Sequence, residues 1–315
     1  MYSVPITFAV AFIILGMCAF LKAMPAEDCD NYGQQEKKLN IFWLAVGSFL
    51  TAYTVSCRPQ VFFAVILDVI ILRKYCFSFK YLKTSNGKKA LAAVFGPMFI
   101  VATFVMLYNY LRFGSVFDFG AFYNLTFNDM RYRGFVWDRL PYGFVQYLLM
   151  PLKLNPEYPY FGGIDKNTVY IGETIQETTY GGLFFTAPFA LIGFIGIAYY
   201  KYLKKNKSLF YVSLGAVLIG MLIIVFDITN AGILERYFFD FSFLFMIASS
   251  LTVLNVMKNC NNRIITESLN KVLIVFVIYE ILYQVLVFIN DSGGYLIGNR
   301  RDLYYHLYYL TGFGI

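Results

Sequence analysis

Residues 209–228 read LFYVSLGAVLIGMLIIVFDI, an apolar run whose single charge, Asp227, lies near its end. About 20 such residues cross the roughly 30 Å hydrocarbon core of a bilayer as a helix, the form that pairs every backbone amide within its own segment. Runs of the same kind recur at Val4–Leu21, Ile41–Cys57, Ala90–Leu111, Leu183–Tyr202, Tyr237–Val256 and Val272–Ile289. A weaker run over 61–77 carries Asp68 and continues past Arg73 and Lys74, whose long stems reach the interface. The 315 residues are 59% apolar, 20% aromatic and 14% charged, with a mean hydropathy of +0.59. A soluble domain carries about 45–50% apolar and about 25% charged residues. Soluble enzyme, disordered linker, collagen and coiled coil are thereby excluded. The expected fold is an all-α polytopic membrane protein, one transmembrane domain over residues 1–315 with about eight transmembrane helices.

Basic residues orient the spans. Arg73, Lys74, Lys80, Lys83, Lys88 and Lys89 form one cluster, Lys201, Lys204, Lys205 and Lys207 a second, and Lys258, Arg263 and Lys271 a third. With eight spans all three fall on one side, which the positive-inside rule makes cytoplasmic. The net charge of +7 follows from that bias, and nucleic acid is not an expected partner. The opposite face receives a large extracytoplasmic loop, 112–182, rich in Tyr, Pro and Gly. Its aromatics fit short interfacial helices, one of them over Tyr142–Leu154. The same parity places the N-terminus outside with no leader-like segment, which fits a chain that further spans precede.

Five cysteines, an odd number, show no metal-ligand spacing, and there is one histidine, His306. No metal ligand is assigned, although a divalent metal held by carboxylates stays open as a cofactor.

A charge inside the membrane costs about 2.5–3.5 kcal/mol at the centre of a helix, so its position is informative. Arg58, Arg112 and Arg236 stand at the outer ends of spans and reach one membrane face. Together they suit an anion such as a lipid phosphate, because the guanidinium fork binds phosphate oxygens bidentately. Singly, each also reads as a headgroup anchor. Asp118, six residues after Arg112, and Glu235, beside Arg236, are the candidate bases among the outer carboxylates. Each also reads as a solvated loop charge. Glu280, with Gln284 one turn on, and Asp68 are the intramembrane polar residues, open to a proton relay or to an interhelical hydrogen bond.

Tyr108-Asn109-Tyr110-Leu111-Arg112-Phe113-Gly114-Ser115, then Phe117-Asp118-Phe119-Gly120, Tyr123-Asn124-Leu125-Thr126 and Asn128-Asp129-Met130-Arg131-Tyr132 resemble a signature of C-type polytopic membrane glycosyltransferases. That superfamily includes protein mannosyltransferases and aminoarabinose transferases. Leu140-Pro141-Tyr142-Gly143, Tyr158-Pro159-Tyr160-Phe161, Gly181-Gly182-Leu183, Glu235-Arg236-Tyr237 and the Arg58-Pro59 junction follow the same pattern in order, over roughly Ser48 to Ser250. The resemblance implies sugar transfer from a polyprenyl-phosphate donor to an acceptor at the extracytoplasmic face, in a bacterial plasma membrane. It implies a carboxylate as base and basic residues on the leaving lipid phosphate, a role that Arg58, Arg112 and Arg236 suit. The family's catalytic acidic loop follows its first span and has no counterpart here, so by resemblance the chain is a C-terminal portion. Two alternatives remain: a non-catalytic or degenerate scaffold of this fold, and a transporter or lipid flippase with its site near the midplane.

Overall fold

The computed structural model describes residues 3–25, 39–73, 79–120, 123, 135–156, 158, 160–164, 179–198, 207–230, 232–260 and 262–311. Among the described residues the chain is helical apart from one small antiparallel pair, β1 (Lys153–Leu154) with β2 (Phe161–Gly162), and an isolated bridge between Ile164 and Thr179. In order the helices are α1 (Ser3–Ala23), α2 (Ile41–Cys57), a 3-10 turn Pro59–Ala64 leading into α3 (Val65–Leu72), α4 (Phe79–Leu82) and α5 (Ser85–Phe113). There follow α6 (Leu140–Phe144), α7 (Leu183–Thr186), α8 (Ala190–Ala198), α9 (Lys207–Asn230), α10 (Phe238–Asn259), α11 (Arg263–Asn299) and α12 (Arg301–Thr311). Among the described residues, five helical stretches are long and apolar enough to span a membrane: Val4–Ala23, Ser85–Phe113, Ser208–Asn230, Glu235–Asn259 and Arg263–Asn290. The molecule is thus an integral membrane protein by the length and composition of its helices. Residues 199–206, which complete the Leu183–Tyr202 run and most of the second basic cluster, lie outside the described residues.

The α1–α2 hairpin shows why these runs pack as they do. Lipid tails are as apolar as leucine, so helices associate through close approach and polar contacts rather than by hiding surface from water. Gly16 and Gly47 face each other across the crossing, and a Cβ on Gly47 would meet the Phe20 ring at 2.7 Å and the Gly16 carbonyl at 3.1 Å. Thr51 on α2 donates to Asp68 on α3 at 3.0 Å, and Ser48 donates to the Val94 carbonyl of α5. Phe20 is fully buried and has nowhere to go. Gly47→Leu should therefore cost about 1–3 kcal/mol by overpacking. The check is the melting temperature of the purified variant in detergent; a wild-type value would mean that the two helices part without cost.

Helix ends follow local chemistry. Thr84 caps α5 by accepting from the Gly87 amide at 3.0 Å, and Gly114, at φ 76°, closes it in the left-handed conformation that glycine adopts without strain. Asn262 caps α11 through the Ile264 amide at 3.0 Å. The expected interfacial helix over 142–154 is shorter: α6 widens into a π-helical turn, Val145–Leu149, and stops before Pro151, after which Lys153 and Leu154 enter β1. Proline has no N–H to donate and disfavours the helical region for Met150 before it.

α10 is the centre of the bundle, packed on α8 and α9, with 61% of its apolar window buried. α11 is its opposite: 6% of its window is buried, and its residues from Val272 to Phe288 present apolar side chains outward almost all round. It touches the rest through a few points. Tyr283 packs edge-on to Phe161 of β2 at 5.6 Å, and Tyr279 donates to the Phe185 carbonyl.

Candidate functional site

The turn from α9 to α10 gathers the buried polar residues. Arg58, just past α2, reaches the first turn of α10 and clasps Asp240, with Nε 3.2 and 3.0 Å from its two oxygens and Nη2 2.7 Å from Oδ2. Asp240 is fully buried and the Arg58 side chain is 19% exposed. The fork-on-fork geometry is the strong form of a charged pair. The guanidinium also lies 4.2 Å from the Tyr237 ring centre, against which Arg236 sits at 5.6 Å. Gln60 donates to Asp227 Oδ1 at 3.2 Å from the first turn after Arg58. Tyr147 holds the connecting loop: its hydroxyl accepts from the Leu234 amide at 2.9 Å and lies 3.2 Å from the Gly232 carbonyl. Burial pushes the Tyr147 phenol well above its ordinary range and keeps it neutral.

Beside this turn, α7, α10 and α11 enclose a cavity of about 650 Å³. Phe238, Phe239, Met246, Val277, Ile281, Val285 and Phe288 make most of its wall, and Glu235, Thr186, Ser242, Glu280 and Gln284 supply its polar groups. Glu280 is tied to α8 by the Phe189 amide, 3.4 Å from Oε1.

The structure brings some of the residues singled out in the sequence together and leaves others apart. Glu235 and Glu280, read for different roles, line the same cavity. Arg58 and Arg236 converge on Tyr237, but the Arg58 charge is engaged by Asp240. Arg112 is apart from both: it is exposed and rests on Tyr108 and Phe113 of its own helix. The Ser48–Val94 contact fixes the register of α2 and α5; at about 1.5 Å per residue Arg112 then lies about 12 Å farther along the helix axis than Arg58. Asp118 is also apart, its Oδ1 accepting from the Gly120 amide at 2.8 Å in a local turn. Asp68 is buried at mid-bundle between α2 and α3. His306 is exposed on α12, next to the Tyr158–Tyr304 cluster.

Asp240, Gln60 and Tyr147 join the site only in the structure. For Asp240 a signal existed: it is the one charge in the Tyr237–Val256 run, and an intramembrane carboxylate is a candidate by default. Among the described residues no three His, Cys, Asp or Glu side chains converge on one point. Asp129, Glu157, Asp165, Glu173 and Glu177 lie outside the described residues. Comparisons with protein-family models, with curated proteins and with solved structures find no match to this chain.

Proposed function

We propose that the chain is a membrane glycosyltransferase, or the C-terminal part of one, that passes a sugar from a polyprenyl-phosphate donor to an acceptor at the extracytoplasmic face of a bacterial plasma membrane. In this reading the chain crosses the membrane about eight times, with its basic clusters cytoplasmic and residues 112–182 outside. One observation carries it: the cavity is walled mostly by apolar side chains and holds the carboxylate of Glu235, whose neighbour in the chain is Arg236. A polyprenyl chain fits such a wall, and a soluble sugar nucleotide does not.

Glu235 is the base of the reaction. It takes the proton of the acceptor hydroxyl, the freed oxygen attacks the anomeric carbon, and the bond from that carbon to the phosphate oxygen breaks. The electron pair stays on the lipid phosphate, whose growing charge Arg236 offsets, with Arg58 behind it across Tyr237. Arg112, exposed on the outward extension of α5, meets membrane lipid headgroups or the incoming donor. Glu280 lies deeper in the cavity, where a second carboxylate disfavours phosphate and favours the hydroxyls of a sugar.

Full-length protein in liposomes with a radiolabelled polyprenyl-phosphate hexose tests this. Transfer is expected, and Glu235→Gln should lower kcat by about 10²–10⁴-fold with the melting temperature unchanged. A Glu235→Gln variant that transfers at the wild-type rate would falsify the assignment of the base. Saturable binding of the lipid with no transfer would leave the degenerate scaffold as the better account.

A further inference from the structure

The deep end of the cavity gathers polar side chains that the bundle does not satisfy. α10 and α11 are joined by residues 260–262 and run antiparallel. Ser242 on α10 and Glu280 on α11 stand equally far from that link along their helices, so they line the cavity at one depth. Gln284 follows one turn farther out on the same face of α11. At about 1.5 Å per residue, Glu235 lies about 10 Å nearer the outer end. Glu280 accepts one hydrogen bond, on Oε1 from the Phe189 amide at 3.4 Å. Among the described residues its Oε2, the Ser242 hydroxyl and the Gln284 amide have no hydrogen-bond partner. All three residues belong to stretches that are long and apolar enough to span a membrane, where hydrocarbon offers no partner and an unmade hydrogen bond is costly. The described residues that line the cavity include two carboxylates, Glu235 and Glu280, and no Lys, Arg or His. Arg58 and Arg236 lie on the Tyr237 ring, Arg58 also on Asp240, and neither lines the cavity.

We propose that the deep end of the cavity binds a long-chain primary amine, its nitrogen held by Glu280, Gln284 and Ser242 and its chain by the apolar wall. A primary ammonium has three N–H donors and no acceptor. This level offers three acceptors to match: the Glu280 carboxylate, the Gln284 side-chain carbonyl and the Ser242 hydroxyl. The charge balances whichever form enters. An ammonium meets the carboxylate, and a neutral amine takes the proton of a protonated Glu280; both end as the same ion pair. A lipid alcohol brings one donor to this level, and an anionic headgroup brings none. The chain has room, because a cavity of about 650 Å³ falls within the roughly 300–1,000 Å³ that holds small ligands. Met246 and Val277 lie deeper than the polar level, and Phe239, Val285 and Phe288 lie on its outer side. The inference stands whether or not the chain transfers sugar.

The full chain in phosphatidylcholine nanodiscs is titrated with ¹⁴C-dodecylamine, and retention by empty discs is subtracted. Saturable binding of about one amine per chain is expected. Dodecanol and dodecyltrimethylammonium, which lack the charge and the N–H donors respectively, should each compete at least about tenfold less well than unlabelled dodecylamine. Glu280→Gln should weaken binding about 10–100-fold, the worth of a hydrogen-bonded charge, and Glu235→Gln should keep it. No sugar donor is present, so amine binding and sugar transfer fail independently of each other. Retention no greater than that of empty discs overturns the proposal. Dodecanol that competes as well as the amine also overturns it and leaves an apolar cavity without a cation site. Equal competition by the trimethylammonium removes the three-donor assignment and the proposal with it. Binding lost in Glu235→Gln and kept in Glu280→Gln moves the cation to the outer carboxylate, against the proposal. Should Glu280→Gln fail to fold, the competition series on the wild-type chain decides.

Discussion

Arg58→Ala lowers the stability of the folded chain by about 3–5 kcal/mol, the cost of leaving a buried carboxylate without its counter-charge. The pair is held by three short contacts on a residue that is fully buried, so no solvent reaches Asp240 to compensate. The effect is one of imbalance rather than of a lost bond. Arg58→Met combined with Asp240→Leu should therefore recover most of the loss, since a buried pair replaced by apolar side chains is often neutral. Thermal melting of the two single variants and the double variant in one detergent decides it. If the double variant is as unstable as the sum of its parts, the pair is not an isolated unit. Arg112→Ala is the contrast: an exposed side chain resting on its own helix should leave melting within about 0.5 kcal/mol of wild type. A loss of activity in Arg58→Ala would thus report on folding first.

Tyr147→Ala is expected to cost about 3–5 kcal/mol. Tyr147 is the largest of the fully buried side chains among the described residues, and its ring packs edge-on against Phe238 at 5.0 Å and Phe241 at 5.3 Å. Removing the ring opens a void at the N-terminal end of α10, and removing the hydroxyl strands the Leu234 amide. The two contributions separate in Tyr147→Phe, which keeps the packing and should cost about 1–3 kcal/mol for the buried donor left unpaired. Melting temperatures again give the answer. A Phe variant as unstable as the Ala variant would assign the whole effect to the hydroxyl.

The membrane class was legible because it rests on composition and run length, which a single sequence contains in full. Spans were legible at their centres and not at their ends. Ala90–Leu111 grows to Ser85–Phe113 because the Thr84 cap and the left-handed Gly114 set the ends, and hydropathy weighs neither. Val272–Ile289 grows to Arg263–Asn299 for the same reason: Asn262 starts the helix and the Arg263–Glu267 pair supports a polar first turn. In the site, single residues could be marked but their partners could not. Arg58 is conspicuous at a helix end, yet its partner lies at Asp240, far along the chain, and only the packed bundle joins them. Glu235 and Glu280 each drew notice, and that they share one cavity is a fact of tertiary structure. Gln60 carries no sequence signal, and Tyr147 reads in the sequence as one interfacial aromatic among several, with nothing to mark its hydroxyl as the partner of the Leu234 amide.

α11 has a consequence of its own. A helix over Arg263–Asn299 is about 55 Å long at about 1.5 Å per residue. Its apolar run Val272–Ile289 accounts for only about 27 Å of that, close to the roughly 30 Å hydrocarbon core. The remaining length, Arg263–Lys271 and the turns after Ile289, therefore stands among headgroups and water, and the helix carries one wall of the cavity from the hydrocarbon out to the interface.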